Sequence, residues 1–77
     1  MTEVYNESKE NIKIYNHING YLLSIDYQYT DMKKMVEFFN LYPKFWYDSS
    51  SHHVYYDSQD ILDVRNKIDI FKSIFVI

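Results

Sequence analysis

The pair Asn19-Gly20 divides an alternating apolar segment, and this feature constrains the fold more than any other in the chain. Both residue types tolerate the positive φ angles of a two-residue type I′ turn, which joins two antiparallel strands. On one face, this turn predicts the pairs Ile18–Tyr21, Asn16–Leu23, Ile14–Ile25 and Ile12–Tyr27. On the other face, it predicts the pairs His17–Leu22, Tyr15–Ser24 and Lys13–Asp26. The sequence therefore indicates a hairpin with one largely apolar face.

A second, shorter hairpin is indicated by two aromatic segments on either side of three serines. The segments are residues 44–48 and 53–57, and the loop contains Ser49-Ser50-Ser51. A four-residue loop places Phe45, Tyr47, Val54 and Tyr56 on one face, with Trp46 and Tyr55 on the other, whereas a three-residue loop pairs Trp46 with Val54. We favour the four-residue loop, because its inner face is more uniformly apolar.

Each hairpin is followed by apolar residues at helical spacing. The first helix is predicted at about residues 31–41, capped by Thr30 or Asp31 and ended by Pro43. Its apolar stripe consists of Met32, Met35, Val36 and Phe39.

The second helix is expected to be capped by Asp57 or Ser58, with Asp60 in its first turn. Asp63 and Lys67 are spaced to form an ion pair on it. Its apolar stripe consists of Ile61, Val64, Ile68, Phe71 and Phe75.

These elements predict an α+β fold in the order ββαββα. An antiparallel sheet of about four strands, built from two hairpins, carries both helices on one face. Residues 11–77 form the single domain, and the polar residues 1–10 are expected to be a mobile arm. An alternative architecture turns residues 70–77 into a fifth strand.

Composition narrows the classes of function. The chain has 77 residues, no cysteine and a net charge of -3, so no thiol chemistry or thiolate metal site is available. Nucleic-acid binders normally show a basic patch, and the only adjacent cationic pair here is Lys33-Lys34. We expect a cytoplasmic protein, because no segment resembles a signal peptide or a membrane span.

The residues that could support catalysis or metal binding do not form a recognisable site. His52 and His53 are adjacent and would point to opposite faces of a strand, so they are poorly placed to bind one ion together. The neighbouring serines lack a positioned base, an orienting group and an oxyanion site. We therefore predict neither an enzyme nor a cofactor or metal site.

The aromatic content is the strongest indication of function. There are nine tyrosines, five phenylalanines and one tryptophan, more than so small a core can hold. Part of this excess reflects an AT-rich genome, since isoleucine, lysine, asparagine, tyrosine, phenylalanine and methionine supply about half of the chain. The candidate partner-binding residues, on the face opposite the helices, are Tyr15, His17, Leu22, Trp46 and Tyr55.

Three interpretations of this aromatic face stay open. In the first, it binds another protein with a basic surface, and the chain is a phage or mobile-element inhibitor of a host nucleic-acid enzyme or defence protein. In the second, it stacks single-stranded nucleic acid, which the negative charge disfavours. In the third, these side chains pack within the protein or reflect codon bias. Separately, the apolar residues 74–77 suggest a homodimer.

Overall fold

The computed structural model describes residues 3–7, 11–28 and 31–75. Five strands and two helices lie within these ranges: β1 (Glu3–Glu7), β2 (Ile12–His17), β3 (Gly20–Asp26), α1 (Met32–Leu41), β4 (Trp46–Asp48), β5 (His53–Ser58) and α2 (Ile61–Phe75). The strands form one antiparallel sheet in the order β1-β2-β3-β5-β4. Strand β5 therefore lies between β3 and β4, and its pairing with β3 joins the two halves of the chain.

The predicted α+β fold with two hairpins, each followed by a helix, is confirmed. The predicted arm over residues 1–10 contains the additional strand β1, which pairs with β2 at the sheet edge. This polar segment carries no apolar alternation that would indicate a strand. The alternative prediction of a strand over residues 70–77 is wrong for residues 70–75, because α2 extends to Phe75. Residues 76–77 lie outside the described residues.

The first hairpin has the predicted faces and a different register. His17 pairs with Gly20, and Ile14 pairs with Leu23, so the two turn residues are Ile18 and Asn19. Every strand partner is displaced by two positions from the prediction. Because side chains alternate with a period of two, this displacement leaves each side chain within the strands on its predicted face.

A close backbone approach explains why the glycine lies in β3 and not in the turn. A Cβ atom on Gly20 would lie 2.5 Å from the Ser58 carbonyl oxygen and 2.8 Å from Gln59 Cα. Gly20 also has a φ of +153°, a value that residues with side chains rarely adopt. Asn19 is not among the residues of positive φ, so the predicted type I′ turn is wrong.

The second hairpin has the predicted four-residue loop. Trp46 pairs with Tyr55 and Tyr47 with Val54, which confirms the favoured register. The Asp48 carboxylate organises the loop by accepting hydrogen bonds from the Ser50 amide at 3.0 Å, the Ser50 hydroxyl at 2.7 Å and the Ser51 hydroxyl at 3.1 Å.

One face of the sheet and both helices enclose the hydrophobic core. Its buried residues are Ile12, Ile14, Leu23, Ile25, Met35, Phe38, Phe45, Val54, Tyr56, Val64, Ile68, Phe71 and Phe75. Phe38 lies among aromatic rings, with centroid distances of 4.9 Å to Phe45, 5.2 Å to Phe75 and 5.6 Å to Phe71. Rings at these separations add to the stabilisation from burial alone.

The position of Phe38 corrects the predicted apolar stripe of α1. The helix presents Met35 and Phe38 to the core, while Met32 is 60% exposed and Val36 is 51% exposed. Asp31 is the cap, since its carboxylate accepts a hydrogen bond from the Lys34 amide at 3.0 Å. The other proposed cap, Thr30, lies outside the described residues.

Helix α2 uses the predicted stripe and a different cap. Val64, Ile68, Phe71 and Phe75 are buried, as the spacing indicated. The cap is Asp60, whose carboxylate accepts from the Leu62 amide at 2.9 Å, instead of Asp57 or Ser58. The Ser58 hydroxyl accepts a hydrogen bond from the Asp60 amide at 3.1 Å, just before the helix.

A polar cluster fastens α2 to β5. The Asp63 carboxylate accepts hydrogen bonds from the Lys67 ammonium at 2.7 Å and from the Tyr56 hydroxyl at 2.6 Å. These hydrogen bonds, the one from Lys67 first, lower the pKa of Asp63 to about 2. Burial and the neighbouring carboxylate raise the pKa of Tyr56 above its ordinary value, so its hydroxyl stays a proton donor.

Replacing Gly20 by alanine will destabilise the protein, because the new methyl group meets the backbone of Ser58 and Gln59. We expect a loss of about 2 kcal/mol in the free energy of unfolding, measured by urea denaturation. Asn19→Ala is the matched control in the adjacent turn position and should change stability by less than about 0.5 kcal/mol. Equal effects of the two substitutions would contradict the close approach.

Replacing Asp63 by asparagine will cost stability in a pH-dependent way. The pKa of Asp63 is lowered in the folded protein, so its contribution is complete above the unfolded value of about 4 and is lost as the pH falls towards 2. Since the side chain is 30% exposed, we expect a wild-type advantage of about 1 kcal/mol at pH 6 that disappears by about pH 2.

The measurement is the unfolding free energy of both proteins as a function of pH. Asp69→Asn provides the control, because Asp69 is an exposed carboxylate on the same helix. A wild-type advantage over Asp63→Asn that did not change between pH 6 and pH 2 would contradict the proposed role of the carboxylate.

Candidate functional site

The sheet has an open face, defined here by the outward side chains of β2 to β5, on the side opposite the two helices. Strand pairing arranges these side chains in three rows. The central row is Lys13–Ser24–Tyr55–Trp46, and the flanking rows are Tyr15–Leu22–Asp57 and Asp26–His53–Asp48. Residues that are far apart in the chain therefore lie side by side on one surface.

A depression of about 400 Å³ lies over Ser24, near the centre of the open face. Its lining consists of Tyr15, Leu22, Ser24, Trp46, His53 and Tyr55. Ser24 is 8% exposed, although it lies on the face without helices, because larger side chains surround it. The small serine side chain leaves the space, and its neighbours form the walls.

Three near-parallel rings form one wall of this depression. The Trp46 and Tyr55 rings are stacked across the strands, with centroids 5.5 Å apart and planes at 29°. The His53 and Tyr55 rings have centroids 5.9 Å apart and planes at 17°. Trp46 is still 44% exposed, so a large part of the indole is accessible to a ligand.

Four of the five residues predicted from the sequence meet at this depression: Tyr15, Leu22, Trp46 and Tyr55. His17 does not reach it, because the observed register pairs His17 with Gly20 and not with Leu22. It lines a second depression of about 700 Å³ at the end of the sheet, together with Lys44 and residues 57–60.

Sequence reasoning missed two residues of the depression, Ser24 and His53. His53 shares a strand face with Tyr55, two positions away, so the alternation in β5 carried a signal for it. Ser24 could not have been identified in this way, because its position opposite Tyr55 depends on the pairing of β3 with β5. That pairing joins segments with no local turn between them.

Carboxylates outnumber cations around the open face. Glu3, Asp26, Asp48 and Asp57 lie at its margins, and Lys13 is the one lysine or arginine on these strand faces within the described ranges. The Lys13 ammonium lies 3.8 Å from a Glu3 carboxylate oxygen. Hydrogen bonds from Ser50, and then from Ser51, lower the pKa of Asp48. The surface is therefore acidic at neutral pH.

The two adjacent histidines have different partners. His53 Nδ1 lies 2.8 Å from the Ser51 carbonyl oxygen, and His52 Nδ1 lies 3.1 Å from the Tyr47 hydroxyl. Among the residues that the structure describes, no group of three or more histidine, aspartate or glutamate side chains is placed to bind a metal ion.

The apolar C-terminus is used partly within its own domain. Phe75 belongs to the core and Ile74 packs against it, while residues 76–77 lie outside the described residues. The homodimer through this segment stays a prediction. Within the described ranges, neither helix has the length and apolar character needed to cross a lipid bilayer.

The chain matches no protein-family model, no curated protein and no solved structure.

Proposed function

We propose that this protein is a non-enzymatic interaction module that binds another protein through its open face. The observation that carries the proposal is the convergence of Tyr15, Leu22, Trp46 and Tyr55 on one uncovered depression. Aromatic side chains that meet in a partly formed pocket are typical anchors of protein interfaces. Tyrosine and tryptophan suit such a surface, since each combines an apolar body with a polar tip.

The charges support a partner with a basic surface. Asp26, Asp48 and Asp57 lie in the rows that flank the central row of the open face, and Lys13 is opposed by Glu3. Complementary charge at the rim of an interface raises the association rate and excludes wrong partners. The apolar centre would then supply the buried contacts, and the acidic margin would set the orientation of the partner.

In its finer form, the proposal makes the partner a nucleic-acid enzyme or defence protein of a host cell. The chain would act in the cytoplasm as a phage or mobile-element inhibitor that blocks the partner sterically. The small size, the net charge of -3 and the AT-rich residue usage support this form. Enzymes that bind nucleic acid carry basic grooves, which an acidic protein surface can occupy.

A single-stranded nucleic acid is the competing ligand, because the stacked rings of Trp46 and Tyr55 resemble a platform for bases. The surrounding carboxylates oppose it. Phosphates would approach Asp26, Asp48 and Asp57, with Lys13 as the counter-charge on these strand faces. The electrostatic contribution that dominates most nucleic-acid binding would thus be unfavourable here.

Photo-crosslinking tests the protein-binding proposal. We expect a chain carrying benzoyl-phenylalanine in place of Tyr55 to crosslink to one protein in host cells that express it, because this side chain lines the depression. The same substitution at Val36, an exposed position on α1, is the matched control and should give no such product. The products are identified by mass spectrometry.

A second substitution links this product to the aromatic wall. Trp46→Ala, combined with the crosslinker at Tyr55, should reduce the yield of product at least about tenfold, the effect expected of an interface anchor. A product formed equally from Val36, or one insensitive to Trp46→Ala, would count against binding through the open face.

Titration with oligonucleotides separates the two ligand classes. Trp46 is the only tryptophan, so its fluorescence reports directly on the depression. We expect no quenching by mixed-sequence single-stranded DNA or RNA at micromolar concentration in low salt, where electrostatic interactions are least screened. Tyr55 stacks on Trp46, so the substitution Tyr55→Leu should remove any such binding platform. Saturable quenching that this substitution abolishes would instead show that the open face binds single-stranded nucleic acid.

A further inference from the structure

We infer that the depression over Ser24 binds an arginine side chain of the protein partner. This inference rests on the proposed function, since it names the group that the open face would recognise. It follows from three features of the depression: an accessible aromatic wall, a histidine ring with an acceptor nitrogen, and an acidic margin.

The first feature is the accessible aromatic wall. Trp46 stacks against Tyr55 from β4, His53 stacks against Tyr55 within β5, and Trp46 stays 44% exposed. The cross-strand neighbour of Tyr55 on β3 is Ser24, whose small side chain leaves space beside this wall. A planar guanidinium group can stack on the exposed aromatic surface, and Tyr15 and Leu22 line the same depression for the aliphatic part of the side chain.

The second feature is the orientation of the His53 ring. Its Nδ1 atom lies 2.8 Å from the Ser51 carbonyl oxygen. A carbonyl oxygen can only accept, so Nδ1 carries the proton and donates. In the neutral imidazole, the remaining nitrogen Nε2 is then an acceptor. A depression lined by such a ring suits a ligand rich in N–H donors, and arginine has five.

The third feature is the distribution of charge. Asp26 and Asp48 flank His53 in one row, and Asp57 neighbours Leu22 in another. The nearest cation on these strands, Lys13, is opposed by Glu3 at 3.8 Å. A cationic ligand is attracted from three directions, whereas a phosphate or a carboxylate would be repelled.

These features favour arginine over the other side chains that could enter. A purely apolar side chain cannot donate a hydrogen bond to the acceptor nitrogen of His53. A lysine ammonium is compact and strongly hydrated, and it cannot stack along a ring as a guanidinium does. The depression of about 400 Å³ is open to solvent, which suits an extended, planar head group that reaches in from a partner surface.

The inference is tested with the blocked tripeptide acetyl-Gly-Arg-Gly-amide, titrated into the ¹⁵N-labelled full chain and followed by NMR. We expect saturable shifts of the Trp46 indole N–H and of the Ser24 and Tyr55 amides. The same peptide with citrulline in place of arginine has nearly the same shape and no charge, and should bind about tenfold more weakly. The lysine peptide should also bind more weakly than the arginine peptide.

Two substitutions locate the binding. Tyr55→Leu keeps an apolar side chain and removes the ring, so it should weaken binding of the arginine peptide by about tenfold. Val36→Ala, on the exposed side of α1, should leave the affinity unchanged. The dispersion of the amide spectrum verifies that each variant is folded.

Equal affinity for the arginine and citrulline peptides, or shifts confined to residues outside the depression, would overturn the inference. That failure is distinguishable from a failure of the proposed function. If benzoyl-phenylalanine at position 55 still captures a partner in a Trp46-dependent manner, the open face binds protein and only the arginine assignment is wrong.

Discussion

The pairing of β3 with β5 is the interaction on which the rest of the structure depends. Each hairpin alone exposes an apolar face, and this pairing merges the two faces into one surface large enough for both helices to cover. On the inner side it sets Ile25 beside Val54 and so builds the core. On the outer side it sets Ser24 beside Tyr55 and so creates the depression. One set of backbone hydrogen bonds thus produces both the stable fold and the candidate site.

The alternation of apolar and polar residues predicted the face on which each side chain lies better than it predicted the residue that each one pairs with across the strands. In the first hairpin the side chains within the strands lie on their predicted faces, although the register differs by two positions. The difference arises at Gly20, which is required by the nearby backbone of Ser58 and not by the turn. A tertiary contact of this kind leaves no local pattern. In the second hairpin, loop length and apolar pattern agreed, and the register was predicted.

The distinction between local residue patterns and tertiary contacts also explains which features of the helices and of the site were predicted. Spacing located α1, but the helix turns Phe38 inward because rings from α2 and from Phe45 surround it, and this leaves Met32 and Val36 exposed. Spacing in α2 predicted the buried residues, because its apolar residues lie on one continuous face of the helix. Four site residues followed from strand alternation. Ser24 did not, because its neighbour Tyr55 is brought beside it only by the fold.

The location of the depression on the β3–β5 boundary has a consequence for folding. These strands are separated in the chain by α1 and β4, so their pairing closes a long loop. Such long-range pairing is slower than the formation of a local hairpin. Partly folded chains can contain both hairpins and still lack the depression. A ligand of this surface therefore recognises the complete fold, and its binding energy adds to the free energy of global unfolding instead of stabilising one hairpin alone.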